Sequence, residues 1–158
     1  MQFRWHRFDE LSLNELYALL ALRQQVFVVE QSSPYADLDF IDQQANHLLV
    51  TDNTTLLGYA RCYGPLPGKS CVSFGRVVVA SARRNTGLGK ELVHCTLARL
   101  ATQSCPDVLI SAQLYLEPFY ARFGFARQGK PYDDTGALHV DMHLRLRGPG
   151  YYEDGSRF

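Results

Sequence analysis

The stretch from Val77 to Lys90, Val-Val-Val-Ala-Ser-Ala-Arg-Arg-Asn-Thr-Gly-Leu-Gly-Lys, constrains the fold more than any other part of the chain. Its β-branched start predicts a strand, a basic glycine-containing turn follows, and Leu88, Leu92, Val93, Leu97 and Leu100 then recur at helical spacing. A helix entered this way begins with amide N–H groups that have no intrahelical partner and carry partial positive charge. A phosphate placed there receives several hydrogen bonds together with a favourable dipole. Gly87 and Gly89 keep side chains out of its path, while Arg84 and Lys90 add charge.

Residue identity separates the phosphate loops that share this outline. The nucleotide-hydrolase loop requires a glycine where the chain has Arg84 and a Ser or Thr where it has Glu91. The dinucleotide fingerprint requires a third glycine where Leu92 stands. Both fail, leaving Arg-x-x-Gly-x-Gly over Arg84–Gly89. Taken alone, that hexapeptide also suits an ordinary capped strand-to-helix connection.

The chain's 158 residues, 46% of them apolar, suffice for one domain with a real core. Sixteen basic and sixteen acidic residues cancel, so no global field draws in nucleic acid or an anionic membrane, and any anion site must be local. No apolar run approaches a membrane span, and Met1–His6 lacks the core of a secretion signal, which predicts a cytoplasmic protein. Cys62, Cys71, Cys95 and Cys105 form no Cys-x-x-Cys pair and read as buried thiols, not as a zinc site or a disulfide framework.

In chain order, residues 2–8 alternate as an edge strand. Ser12-Leu13-Asn14-Glu15 is a capping box that opens a helix running toward Val26–Val29. Residues 30–46 are a polar, acidic connection long enough to suggest work of its own. Two strands flank the turn Asp52-Asn53-Thr54, a third covers Val72–Val79, and the helix after the glycine loop ends near Gln103. Val108–Gln113 reads as a buried strand, Tyr115–Phe123 as a short helix stopped by Gly124, and the turn Tyr132–Gly136 separates two last strands. Residues 148–158 form a tail after a domain over 1–147. The order predicts an α/β (α+β) fold with a mixed sheet.

Two motifs in this order carry a family resemblance. Arg84–Gly89 after the valine strand resembles the pyrophosphate loop of the GNAT acetyl-CoA-dependent N-acyltransferases, and Gln113–Phe125, a strand end leading into a helix with Phe119-Tyr120 and closing on Gly124-Phe125, resembles that family's second hallmark. The segment Val26-Phe27-Val28-Val29-Glu30-Gln31, with Pro34-Tyr35, Asp39, Asp42 and His47, is similar to the ElaA-like branch. The resemblance implies a mostly antiparallel sheet of about seven strands, flanked by about four helices and splayed between the fourth and fifth strands. It implies that Val77, Val78 and Val79 flank the pantetheine arm of acetyl-CoA, with a backbone amide near Val77 or Val78 as oxyanion donor. Arg84, Asn85, Thr86, Gly87, Leu88, Gly89 and Lys90 would hold the diphosphate, and Gln113 would mark the splay. Tyr120 occupies the general-acid position, where its phenol protonates the departing thiolate or only hydrogen-bonds to it. Asn85 replaces a frequent glycine, and Gln113 a frequent asparagine.

No carboxylate occurs in Cys71–Arg76, where some members place a base, so Glu30, His47 and His139 are carried as base or acceptor-site candidates, beside Asp39 and Asp42. Each alone is more often structural. Asp37, Asp39 and Asp42 of the acidic connection, with Glu30, suit a cationic acceptor, whereas Arg23 and Arg76 equally suit an acceptor carboxylate; Tyr35 joins Arg23, Asp39, Asp42 and Arg76 as a substrate-binding candidate. His139, Asp141 and His143 share one strand face, but their spacing along the strand is stretched for one metal ion, and no metal is expected. The implied activity is transfer of acetyl from acetyl-CoA to a small-molecule or peptide primary amine by direct attack in a ternary complex. The alternative is a non-catalytic CoA-binding sensor or interaction module. Neither nucleic acid nor membrane is implied, and a homodimer is compatible.

Overall fold

Ser12 opens the first helix as its sequence requires: its hydroxyl accepts from the Glu15 amide at 3.2 Å, and the Glu15 carboxylate accepts from the Ser12 amide at 3.0 Å. The computed structural model describes residues 1–148, so most of the predicted tail lies outside the described residues. Its elements are β1 (Gln2–Arg7), α1 (Leu13–Arg23), β2 (Asn46–Asp52), β3 (Thr55–Tyr63), β4 (Ser73–Val79), α2 (Leu88–Ala101), β5 (Asp107–Gln113), α3 (Glu117–Ala121), β6 (Ala126–Asp134) and β7 (Ala137–Arg145). Described residues thus form seven strands and three α-helices, against the about four helices anticipated. The first helix does run on toward Val29, but as a wider π-helical stretch over Gln24–Glu30. Two i→i+5 bonds close it, Gln31 N to Val26 O at 3.2 Å and Ser33 N to Val28 O at 3.1 Å. Val26, Val28 and Val29 are β-branched and crowd an ordinary α-turn.

The strands form two antiparallel sheets, ordered β1-β2-β3-β4 and β5-β7-β6. They join at one parallel bridge, where Val72 N donates to Asp107 O and Leu109 N donates to Val72 O, each at 3.0 Å. Ser73 Oγ adds a bond to Leu109 O at 2.7 Å. Beyond it, among the described residues, β4 pairs only with β3 and β5 only with β7, so the two strands diverge. Within β4 a bulge sets Gly75–Val78 against the shorter step Tyr59–Arg61 of β3, and Arg76 takes a left-handed φ of 52°.

α1 covers one face of the first sheet through Leu19, Leu49, Tyr59 and Val78. α2 covers the other through Leu88 and Leu92 on Leu48, Val50 and Ala60. A Cβ at Gly58 would lie 3.1 Å from Leu92 Cδ1, so this glycine sets how closely α2 approaches. α3 packs through Phe119 and Tyr120 into an edge-on aromatic cluster with Phe74 of β4 and with Phe123 and Phe125, which follow the helix. The last hairpin is tighter than its sequence suggested: β6 extends through Asp134, and only Thr135 and Gly136, both left-handed with φ 55° and 88°, make the turn. All four cysteines are unpaired; Cys62 is buried, and burial pushes its thiol up to about 12, while the other three are half-buried.

Candidate functional site

Past Val79 the chain makes a single 3₁₀ turn over Ser81–Arg83, pinned by Thr86 Oγ1 to Arg83 O at 2.7 Å, and enters α2 at Gly87. Gly87 has φ 91°, which a side chain would strain. Asn85, at φ 61°, occupies the same left-handed region, which asparagine tolerates better than most residues, so a glycine is not needed there. The first amides to find an intrahelical acceptor are those of Lys90 and Glu91, both on Gly87 O at 2.9 and 3.2 Å. Among the described residues no side chain caps the helix, and the Leu88 and Gly89 amides have no helical or capping partner. A Cβ on Gly87 would meet nothing within 4 Å, and one on Gly89 only Val79 Cγ2 at 3.9 Å. The two glycines therefore leave open a space that side chains would fill. Arg84 lies at its edge, with Nε donating to Val79 O at 3.2 Å and a terminal nitrogen 2.7 Å from Glu30 Oε2.

Glu30 and Gln31, at the end of the π-helical stretch, reach both sides of the divergence between β4 and β5. Glu30 pairs with Arg84, and Gln31 Oε1 accepts from Gln113 Nε2 at 3.0 Å. Beside them lies a cleft of two lobes that share Gln31, Ser33, Gln113, Thr135 and Ala137. The larger, about 730 Å³, adds Pro34, Leu114, Tyr115 and Leu138. The smaller, about 350 Å³, adds Tyr35, Arg76, Asp134 and His139. His139 Nδ1 lies 2.9 Å from Ala137 O; a carbonyl only accepts, so Nδ1 carries a proton, and in an uncharged ring the acceptor nitrogen is Nε2.

Arg23, Asp39 and Asp42 do not reach this cleft. They form a buried charge cluster under the acidic connection: Arg23 donates to Asp37 Oδ2 and Asp42 Oδ1, each at 2.8 Å, and Arg61 donates to Asp42 Oδ1 at 2.7 Å and bidentately to Asp39. Arg76 lies against Asp37 Oδ1 at 2.7 Å and donates to Asp37 O at 3.0 Å. Burial raises the Asp39 and Asp42 carboxyls, but Arg61 and the other guanidiniums outweigh it, leaving both lowered, Asp39 to about 2. His47 is fully buried beside them. Its Nε2–H donates to Asp42 O at 2.9 Å, and Nδ1 accepts from the Tyr59 hydroxyl at 2.8 Å. Burial lowers its pKa, so it is a neutral ring with both nitrogens engaged, away from the cleft.

Tyr120 is buried on α3 against Phe74, Phe119 and Phe125, and its hydroxyl has no hydrogen-bond partner among the described residues. Burial raises its pKa. On β7 the three polar residues sharing a face have separate partners: His139 on Ala137 O, Asp141 on the Tyr132 hydroxyl at 2.8 Å, and His143 on Asp107 at 3.0 Å. No group of acidic, His or Cys side chains positioned to share a metal ion occurs among the described residues.

The family model described as an acetyltransferase (GNAT) domain matches residues 10–146. The chain belongs to the GNAT family. It is 41% identical over 148 residues to a UPF0039 protein of Synechocystis, covering 92% of this chain and 96% of that one. It is 40% identical over 138 residues to Protein ElaA of Escherichia coli, whose crystal structure superimposes with a TM-score of 0.84, covering 90% of this chain and 97% of the other. The crystal structure of an acyl-CoA N-acyltransferase from Pseudomonas aeruginosa gives a TM-score of 0.85 at 36% identity, again over 90% of this chain and 97% of that one. This GNAT chain therefore lies in the ElaA-like branch.

Of the residues singled out from the sequence, the fold gathers Arg84–Lys90 around the open helix mouth with Val79 and Glu30 beside it, and Gln113, Tyr35, Arg76 and His139 around the cleft. It sets Arg23, Asp39, Asp42 and His47 in the charge cluster, and Tyr120 within the aromatic core rather than on the wall of either lobe. Asp134 and Leu138, at the β6–β7 turn, line the cleft without having been singled out; only their adjacency to a turn facing the splay marks them.

Proposed function

We propose that this GNAT protein transfers acetyl from acetyl-CoA to a primary amine, by direct attack within a ternary complex. The single observation that supports this most is the uncapped, side-chain-free mouth of α2 set beside the unpaired edge of β4, a combination that suits a diphosphate followed by an extended polar arm. Leu88 and Gly89 amides would receive the diphosphate, with Arg84 exchanging its contact to Glu30 for the ligand and Lys90 adding charge. The β5-facing edge of β4 would bond to the pantetheine arm, and an amide near Val77 or Val78 would donate to the oxyanion formed on attack. The amine nitrogen bonds to the thioester carbon as the carbon–sulfur bond breaks, and the protons leaving nitrogen end on a base and on the departing sulfur.

Tyr120 serves as hydrogen-bond donor to that sulfur more readily than as full proton donor. A thiol's ordinary pKa is about 8.5 and a phenol's about 10, so proton transfer from phenol to thiolate is uphill before burial raises the phenol further. An assay of thiol release from acetyl-CoA against a panel of primary amines tests the function. Amine-dependent release supports it; tight CoA binding with no release from any amine favours the sensor reading instead.

A further inference from the structure

The two lobes of the cleft differ in chemistry, and the difference identifies an acceptor class. Among the described residues Arg76 is the only cation on either wall, and it already stands against carboxylates. Arg23, Arg61 and Arg76 stand against Asp37, Asp39 and Asp42, three charges of each sign joined by ion pairs. An acceptor carboxylate brought to Arg76 must compete with two aspartates that are already in place. Asp134 is different. Among the described residues no side chain bonds to its exposed carboxylate, and the β6–β7 register pairs it with Ala137, on the same face as His139 and two pairs further along, about 6 to 7 Å of strand. The smaller lobe therefore offers one unneutralised negative charge and one imidazole nitrogen held as a proton acceptor. Among the described residues no charged group lines the larger lobe; to the uncharged wall it shares with the smaller one it adds Pro34, Leu114, Tyr115 and Leu138, of which Tyr115 and Leu138 are 70% and 55% exposed. Apolar side chains left this open at the rim of a concave site suit an apolar partner more than water.

We propose that the acceptor is a primary amine on an uncharged apolar body, with its ammonium against Asp134 and His139 in the smaller lobe and its body in the larger. This rests on the acyl-transfer reading and adds to it the acceptor's class and the base. The ammonium gives one proton to His139 Nε2; the free amine then attacks the thioester carbon, the carbon–sulfur bond breaks, and the second nitrogen proton passes to the sulfur. Asp134 gathers the cation and touches no bond that changes.

Paired probes test this with the whole protein. Phenethylamine and phenylalanine differ by a carboxylate, and phenethylamine and 1,4-diaminobutane by replacing an apolar body with a second charge. The assignment predicts kcat/KM at least about tenfold higher for phenethylamine than for either. Asp134→Asn, a change at an exposed side chain, lowers kcat/KM for phenethylamine about tenfold, mainly through KM. His139→Gln lowers it on the order of a hundredfold near neutral pH, with the deficit shrinking as pH rises toward the amine's own ionisation. Preference for phenylalanine or for the diamine, an unmoved KM in Asp134→Asn, or a pH-independent deficit in His139→Gln overturns the assignment while leaving acyl transfer intact. Absence of thiol release from every amine overturns both.

Discussion

Replacing Asp42 by Asn removes one charge from the buried cluster while keeping the side chain's shape. Asp42 Oδ1 accepts from both Arg23 and Arg61 at 2.8 and 2.7 Å, and these guanidiniums are 0% and 2% exposed, so neither can turn to water for a replacement. Three buried or half-buried cations would then share two carboxylates. Breaking a buried pair by removing one partner costs about 3–5 kcal/mol, because a charge is left uncompensated in the interior. That is a large part of the roughly 5–15 kcal/mol by which a domain is stable. In urea, with a slope near 2 kcal/mol per molar for a chain of this size, the unfolding midpoint should fall by about 2 M. Equilibrium unfolding followed by tryptophan fluorescence reads it through Trp5, the only tryptophan in the chain. A midpoint within about 0.5 M of the parent would refute the reasoning, since it would mean that the cluster is solvated and its charges are weakly coupled.

The same cluster fixes the pH dependence. The Asp39 and Asp42 carboxyls are lowered in the folded state, so their contribution is complete above the unfolded value of about 3.9 and is lost as pH falls toward about 2; acid unfolding monitored by circular dichroism should steepen there and be shallower in Asp42→Asn. His47 is lowered too, so the unfolded chain takes up its proton first and stability should begin to fall as pH drops below about 6.5, a decline that His47→Gln removes. Tyr120→Phe should slow turnover by roughly tenfold to a hundredfold with little change in CoA affinity; unchanged kcat at saturating amine would take the phenol out of the reaction. Gly87→Val forces a β-branched residue to φ 91° and puts methyl groups into the open loop, so CoA affinity measured by calorimetry should fall at least about tenfold; retained affinity would place the diphosphate elsewhere.

Local rules made much of the fold legible. Ser12 and Glu15 cap as written, the glycine turn separates a valine strand from an apolar-faced helix, and the period-two run Leu138–Leu146 becomes β7. The loop's open space was legible in Gly87 and Gly89, whereas the left-handed backbone at Asn85 and Gly87 emerges only with the structure. Charge was read less well. Arg23 and Asp42 look like surface groups free to greet a substrate until Arg61, set mid-strand between Ala60 and Cys62, is seen to require buried counter-charges. The long connection does have work to do, but much of it is neutralising two interior arginines. The π-helical stretch was hidden because Val26, Val28 and Val29 fit a helix or a strand, and only bonding distinguishes the wider turn. Asp134 was read as part of a turn; the two left-handed residues Thr135 and Gly136 tighten that turn and return Asp134 to the strand face beside the cleft.

The account stands or falls on where the cofactor's diphosphate sits, and a crystal structure of the protein soaked with acetyl-CoA measures this directly. The prediction is a diphosphate within hydrogen-bond distance of the Leu88 and Gly89 amides, Arg84 released from Glu30, and the pantetheine arm laid along the unpaired edge of β4. A diphosphate bound elsewhere, with Arg84 still on Glu30 and the β4 edge untouched, would contradict it.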